Sequence, residues 1–130
     1  MQVLFVEDDP MNRRVVRDML LVAGIDMIEA HEALSGLDMI EKFDLDLVLM
    51  DLRMPGMDGL TAVERIRARV DDKRSLPIIV ITADTAPGLR DECLLRGASE
   101  VLFKPVAMQD LFDVIGRVAA QRSADAPLLF

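Results

Sequence analysis

The sequence contains no tryptophan and no tyrosine, and only one histidine and one cysteine in 130 residues. Missing Trp and Tyr removes the aromatic platforms on which nucleic-acid bases commonly stack. Charge points the same way: 23 acids against 15 bases leave a net charge of −8, whereas phosphate contact needs a basic face. This domain is therefore not expected to bind nucleic acid itself. The lone Cys93 cannot form an internal disulfide, which suits a reducing cytosol, and it reads as an ordinary helix residue. No apolar run approaches the ~20 residues of a membrane span. The opening Met1-Gln2-Val3-Leu4-Phe5-Val6 meets acid at Glu7 with no basic leader, so a signal peptide is not expected and a cytoplasmic location is.

What is present is a full complement of core residues. Apolar side chains make up 52 % of a chain whose length suits one domain. The nine methionines are most simply core filler. Short apolar runs alternate with longer amphipathic stretches. Strands are expected at Val3–Val6, Ile25–Glu29, Leu47–Met50, Pro77–Ile81 and Val101–Phe103. Asp9-Pro10 reads as a helix N-cap followed by proline at the first helical position. That helix carries Met11, Val15, Met19, Leu20, Val22 and Ala23 and stops at Gly24. Further helices are expected over 33–43 (weakened by Gly36), 60–70 with Leu60, Val63, Ile66 and Val70, 87–96, and 111–119. Five strands each followed by a helix imply an α/β fold: a single domain, doubly wound, with a parallel sheet buried on both faces.

Ligands in such sheets bind beyond the carboxyl ends of the strands. Here the first strand ends in Glu7-Asp8-Asp9, the third in Asp51, the fourth in Thr82 and the fifth in Lys104. Four of five strands thus deliver polar side chains to one edge. Glu7, Asp8 and Asp51 crowded together resist ionisation unless a cation compensates them. Oxygen ligands with no Cys–His cluster favour Mg²⁺ over softer metals. Asp9 is expected to act as the N-cap instead. A carboxylate beside a metal can also serve as nucleophile and form an aspartyl-phosphate. Lys104 would bring a mobile positive charge to the phosphoryl oxygens, and Thr82 a hydroxyl, with room left by Ala83.

Val6-Glu7-Asp8-Asp9-Pro10, Met50-Asp51-Leu52-Arg53-Met54-Pro55-Gly56-Met57-Asp58-Gly59, Ile81-Thr82-Ala83 and Phe103-Lys104-Pro105 together resemble the receiver domain of bacterial two-component response regulators. The resemblance covers residues 2–121, and a receiver domain is expected over 1–121 with a C-terminal tail over 122–130. It implies a flavodoxin-like sheet of order 2-1-3-4-5 flanked by five helices. It also implies Asp51 as phosphoryl acceptor, and Glu7 and Asp8 as the acidic pair holding Mg²⁺ with Asp51 and the backbone carbonyl of Arg53. Thr82 would be the switch hydroxyl, Lys104 its ion-pairing partner, and Lys104-Pro105 a cis bond, while Gly59 fits the turn into the third helix. The implied partners are a histidine kinase or histidine phosphotransfer protein and a downstream protein, with dimerisation as a further option and no membrane contact.

Two features stand apart from the pattern. Many receivers carry a switching aromatic three positions before the lysine, where this chain has Val101; Phe103 should point to the same side of the strand. The resemblance also places Arg53 and Asp84, each two positions past a key residue, at the rim of the site, where they are expected to pair and slow phosphoryl loss by hindering water. An aspartate-dependent phosphatase or phosphotransferase is the alternative of another class, since Asp44-Leu45-Asp46 resembles the Asp-x-Asp of those enzymes. That pair precedes its strand, and a covering cap is absent from the pattern. A histidine phosphotransfer module using His31 would be a helical bundle, which five strands oppose. The expected function is a phosphoryl-accepting signalling switch rather than an enzyme, either free-standing or part of a hybrid histidine kinase or larger regulator. The apolar Leu128-Leu129-Phe130 reads as a docking element at the end of a loosely held tail.

Overall fold

The computed structural model describes the backbone of residues 1–125 and the side chains of residues 1–122; Leu128-Leu129-Phe130 lie outside the described residues. Five parallel strands stand in the order β2-β1-β3-β4-β5, as expected. They are β1 (Gln2–Val6), β2 (Asp26–Ala30), β3 (Leu47–Asp51), β4 (Ile78–Thr82) and β5 (Glu100–Phe103). Every residue of β3 and β4 is buried, because these central strands are covered on both faces.

Alternate residues of the strands feed two separate cores. Val3, Phe5, Leu47, Leu49, Ile79 and Ile81 pack with Val16 and Leu20 of α1 (Pro10–Val22) and with Leu111, Val114, Ile115 and Val118 of α5 (Met108–Asp125). Leu4, Val6, Val48, Met50, Ile78 and Val80 face α2 (Ala33–Lys42), α3 (Gly59–Arg67) and α4 (Leu89–Leu95). The flavodoxin-like fold is thereby built as two apolar layers on either side of one sheet. Cys93 is buried in the second core, and burial pushes its thiol pKa up, as suits an ordinary packing residue.

Several elements differ from the expected spans for identifiable reasons. β2 begins one residue later, at Asp26, which pairs with Gln2 and sets the register of the edge strand. α3 ends at Arg67, and Val70 is 100 % exposed rather than on the buried face. There Arg69 forks between Glu41 and Asp71, and the Asp71 side chain caps a 3₁₀ turn over Asp72–Ser75. Within that turn Lys73 Nζ reaches back to the carbonyls of Ile40 and Glu41 at 2.7 and 3.1 Å, satisfying the end of α2. Met11, Val15 and Val22 are exposed on α1, whose buried stripe narrows to Val16 and Leu20. α4 starts at Leu89, after Gly88 turns with φ +81°. α5 continues to Asp125, so the tail expected from residue 122 begins inside the helix.

Arg67 ties this region together. Its guanidinium, half-buried at the end of α3, donates to the carbonyls of Gly97, Arg74 and Leu76 at 2.7–2.8 Å. Burial lowers its pKa, and the charge of Arg122 adds to the effect.

The loop between β3 and α3 is shaped by a close backbone approach. Asp58 caps α3 by accepting from Thr61 N at 2.8 Å, and Gly59 N donates to Leu52 O at 3.1 Å. A Cβ on Gly59 would lie 2.2 Å from Asp51 O and 2.9 Å from Leu52 Cα, so only glycine fits. Gly59→Ala is expected to destabilise the fold by about 1–3 kcal/mol, the usual scale for overpacking, in urea denaturation. An unchanged midpoint would contradict the close contact.

Candidate functional site

Because all strands run parallel, their carboxyl ends share one edge. Val6 pairs with Met50, Asp51 with Ile81, and Thr82 with Phe103, which aligns the residues that follow. Glu7, Asp8, Asp51, Thr82 and Lys104 meet there in a cleft of about 300 Å³, also lined by Asp9, Asn12, Arg53 and Ala83. Glu7 and Asp51 are only 1 % and 4 % exposed, Thr82 is fully buried, and Asp8 is open to solvent.

The polar contacts are specific. Lys104 Nζ lies 2.7 Å from Glu7 Oε1 and 3.6 Å from Asp51 Oδ1. Asn12 Nδ2 donates to the same Glu7 Oε1 at 3.0 Å, and Arg13 Nη1 donates to Glu7 O at 2.7 Å. Thr82 Oγ1 accepts from Asp84 N at 3.1 Å. Arg53 pairs with Asp84 across the rim, as the family resemblance implied. Lys104-Pro105 is a cis bond.

Oxygen atoms of Glu7, Asp8 and Asp51 all lie within 4.8 Å of one another. Burial raises the pKa of Glu7 above its ordinary value, with Asp51 adding to the rise and Lys104 opposing it. Burial also works against the Lys104 ammonium, but the bond to Glu7 and the charges of Asp51 and Glu7 outweigh it and hold its pKa up. One ammonium against three carboxylates leaves negative charge uncompensated in a confined, oxygen-lined space. Such a donor set fits a hard divalent cation.

The other candidates fall elsewhere. Asp9 caps α1, its side chain accepting from Met11 N at 2.9 Å. Asp46 accepts from Gln2 N at 2.7 Å at the amino ends of the strands, away from the cleft. His31 is exposed and does not line the cleft. Val101 is buried in the core, whereas Phe103 at the end of β5 is 39 % exposed. Reading the strand ends missed Asn12 and Arg13, which come from the first turn of α1. The only available signal was that a helix starting at Pro10 turns these residues back over Glu7.

A family model described as the response regulator receiver domain matches residues 3–116. The chain belongs to that family. It is 39 % identical over 120 residues to hybrid signal transduction histidine kinase G of Dictyostelium discoideum, covering 90 % of this chain and 4 % of that protein. With sensor protein GacS of Pseudomonas syringae pv. syringae it is 34 % identical over 116 residues, covering 88 % of this chain and 13 % of GacS. The receiver thus spans only a small part of these curated relatives. The receiver domain of sensor histidine kinase PA1611 from Pseudomonas aeruginosa PAO1 superposes with a TM-score of 0.83 at 33 % identity, covering 92 % of this chain and 97 % of that one. That structure holds a magnesium ion in its active-site cleft. Vibrio cholerae chemotaxis protein CheY4 gives a TM-score of 0.81 at 29 % identity, covering 90 % and 97 %. Among the described residues, no helix is long and apolar enough to cross a membrane.

The charge crowding has a measurable consequence. Without metal, Asp51→Asn should raise the melting temperature by about 3–5 °C, the equivalent of about 1 kcal/mol at this size, while Mg²⁺ should stabilise the native receiver more than the variant. Glu7 binds its proton more tightly folded than unfolded, so its contribution is full below pH 4.5 and is lost as pH rises through the higher folded value. The stabilisation by Mg²⁺ should therefore grow as pH rises through that higher folded value. Thermal melts that show no Mg²⁺ dependence would contradict this account.

Proposed function

We propose that this receiver domain is a phosphoryl-accepting signalling switch, with Asp51 taking a phosphoryl group from the phosphohistidine of a histidine kinase or a histidine phosphotransfer protein. The observation that carries the reading is the meeting of Glu7, Asp8, Asp51, Thr82 and Lys104 in one cleft. A carboxylate oxygen of Asp51 attacks phosphorus, and the bond from phosphorus to the donor imidazole breaks. The electron pair leaves on the imidazole nitrogen, and an acyl phosphate remains on Asp51. Its carboxylate sits at the end of a buried strand, where Gly59 fixes the backbone behind it.

Glu7, Asp8, Asp51 and the backbone carbonyl of Arg53 would hold Mg²⁺. The ion, when bound, neutralises carboxylate charge and steadies the incoming phosphoryl oxygens. Lys104 already stands between Glu7 and Asp51 and needs only to shift toward the phosphoryl oxygens to pair with them. Thr82 accepts one bond from Asp84 N, which leaves its hydroxyl proton for a phosphoryl oxygen. Drawing Thr82 inward would pull on the loop that follows β4 and so alter the surface met by a downstream protein. Val101 has no ring to report that movement; the exposed ring of Phe103 lies on the same side of β5.

The protein promotes only its own phosphorylation and dephosphorylation, acts in the cytoplasm, and is organised as a receiver that runs through α5. Because GacS and the Dictyostelium kinase match it over a small part of their length, a hybrid-kinase setting is a natural one. A free-standing regulator would use the same chemistry.

Incubation with a small phosphodonor and Mg²⁺ should give an acid-stable, base-labile adduct on the wild type and none on Asp51→Asn. Equal labelling of the two proteins would sink the assignment. The Arg53–Asp84 pair stands at the rim beside Asp51, so Arg53→Ala should shorten the lifetime of the phosphorylated form several-fold. An unchanged lifetime in a phosphate-release assay would remove the pair from that role.

A further inference from the structure

Glu7 is nearly inaccessible to solvent, and its Oε1 receives two donors, Lys104 Nζ at 2.7 Å and Asn12 Nδ2 at 3.0 Å. The two differ in kind. Lys104 sits on a flexible stem and is also drawn to Asp51 at 3.6 Å. Asn12 is neutral, short, and anchored on the first turn of α1, where Asp9 caps the helix and Pro10 starts it. The next residue, Arg13, donates to the backbone carbonyl of Glu7 at 2.7 Å and is itself held by Glu29. Both the main chain and the side chain of Glu7 are therefore pinned by consecutive residues of one helix. No function assigned above uses this clamp.

A clamp of this form matters when the lysine moves. Should Lys104 leave Glu7, a buried carboxylate oxygen would lose a charged donor next to two other carboxylates. Buried acceptors without partners are costly and tend to move or take up a proton. The amide of Asn12 is the donor that stays.

We propose that Asn12 is a positioning residue that keeps Glu7 aligned with Asp8 and Asp51 for Mg²⁺ while Lys104 swings from Glu7 to the phosphoryl group on Asp51. The swing rests on the phosphoryl-acceptor reading; the clamp on Glu7 does not. Asn12 acts through Glu7, in the way that a partner of a metal ligand fixes that ligand's orientation. Its neutral amide suits the task, because a second ammonium there would oppose the cation.

The test is calorimetric titration of Mg²⁺ into unphosphorylated protein, which holds or fails regardless of whether Asp51 is later labelled. Asn12→Ala should weaken Mg²⁺ binding about tenfold, the lower end of what removing a ligand's partner costs. Asn12→Leu, which keeps bulk against the neighbouring apolar residues, should do the same if the donor rather than the volume matters. Arg14→Ala, on the exposed side of the same turn, should leave affinity unchanged. The decisive arm repeats Asn12→Leu in a Lys104→Met background, where Oε1 has no second donor. There the loss caused by Asn12→Leu should exceed the loss in the wild-type background by threefold or more. A merely structural effect of Asn12 would be the same in both backgrounds. Equal losses, or no loss with Asn12→Leu, would overturn the proposal.

Discussion

The ammonium of Lys104 stands between two nearly inaccessible carboxylates, 2.7 Å from Glu7 and 3.6 Å from Asp51, and much of the molecule exists to make that arrangement tolerable. Burying acids is expensive unless each is paired. The sheet brings the cation from β5 and the acids from β1 and β3, so three separate strands must hold register for the charges to meet. Any slip in that pairing would leave a buried carboxylate without its cation. The arrangement is only partly compensated, since Asp8 adds a third negative charge at the mouth. That imbalance gives the cleft a donor set suited to a divalent cation.

Support for the cleft comes from backbone as much as from side chains. Gly59 lies against the carbonyl of Asp51 so closely that a methyl group has no place. Gly36, whose position within α2 weakens that helix by propensity, lets it approach Val6, where a Cβ would come within 2.7 Å of a methyl. Both glycines trade helix or loop stability for close packing behind strand ends that carry acids. On the opposite side, α1 begins with an Asp9–Pro10 cap and turns Asn12 and Arg13 onto Glu7. Functional side chains on strand ends are thus held from below by the sheet and from the flank by a helix start.

Away from this edge, other cations serve the fold. Arg67 reaches three carbonyls from the end of α3, and Lys73 closes the carbonyl end of α2 from a 3₁₀ turn. Neither role could be read in advance. A single Arg or Lys in an amphipathic pattern normally means a solvated face, and its true partners are distant in the chain. Val70 shows the reverse error: helical spacing placed it on the buried face, but α3 ends at Arg67 and leaves it outside.

The amino-acid sequence alone determined the alternation of strands and helices, the two-sided burial of β3 and β4, and the family to which the chain belongs. Those features are local: apolar runs, a cap at Asp9, and the Asp51–Gly59 segment are legible without knowing what lies across the sheet. It also named Glu7, Asp8, Asp51, Thr82 and Lys104 together, because a parallel sheet sends every strand end to one edge. Tertiary structure decided what those residues touch. That Lys104 rests on Glu7 more closely than on Asp51, that Asn12 shares the same oxygen, and that Arg53 meets Asp84 across the rim all depend on side chains converging from distant segments. Separations of 2.7, 3.0 and 3.6 Å between such groups follow from packing of the whole sheet and its helices, and no local pattern encodes them.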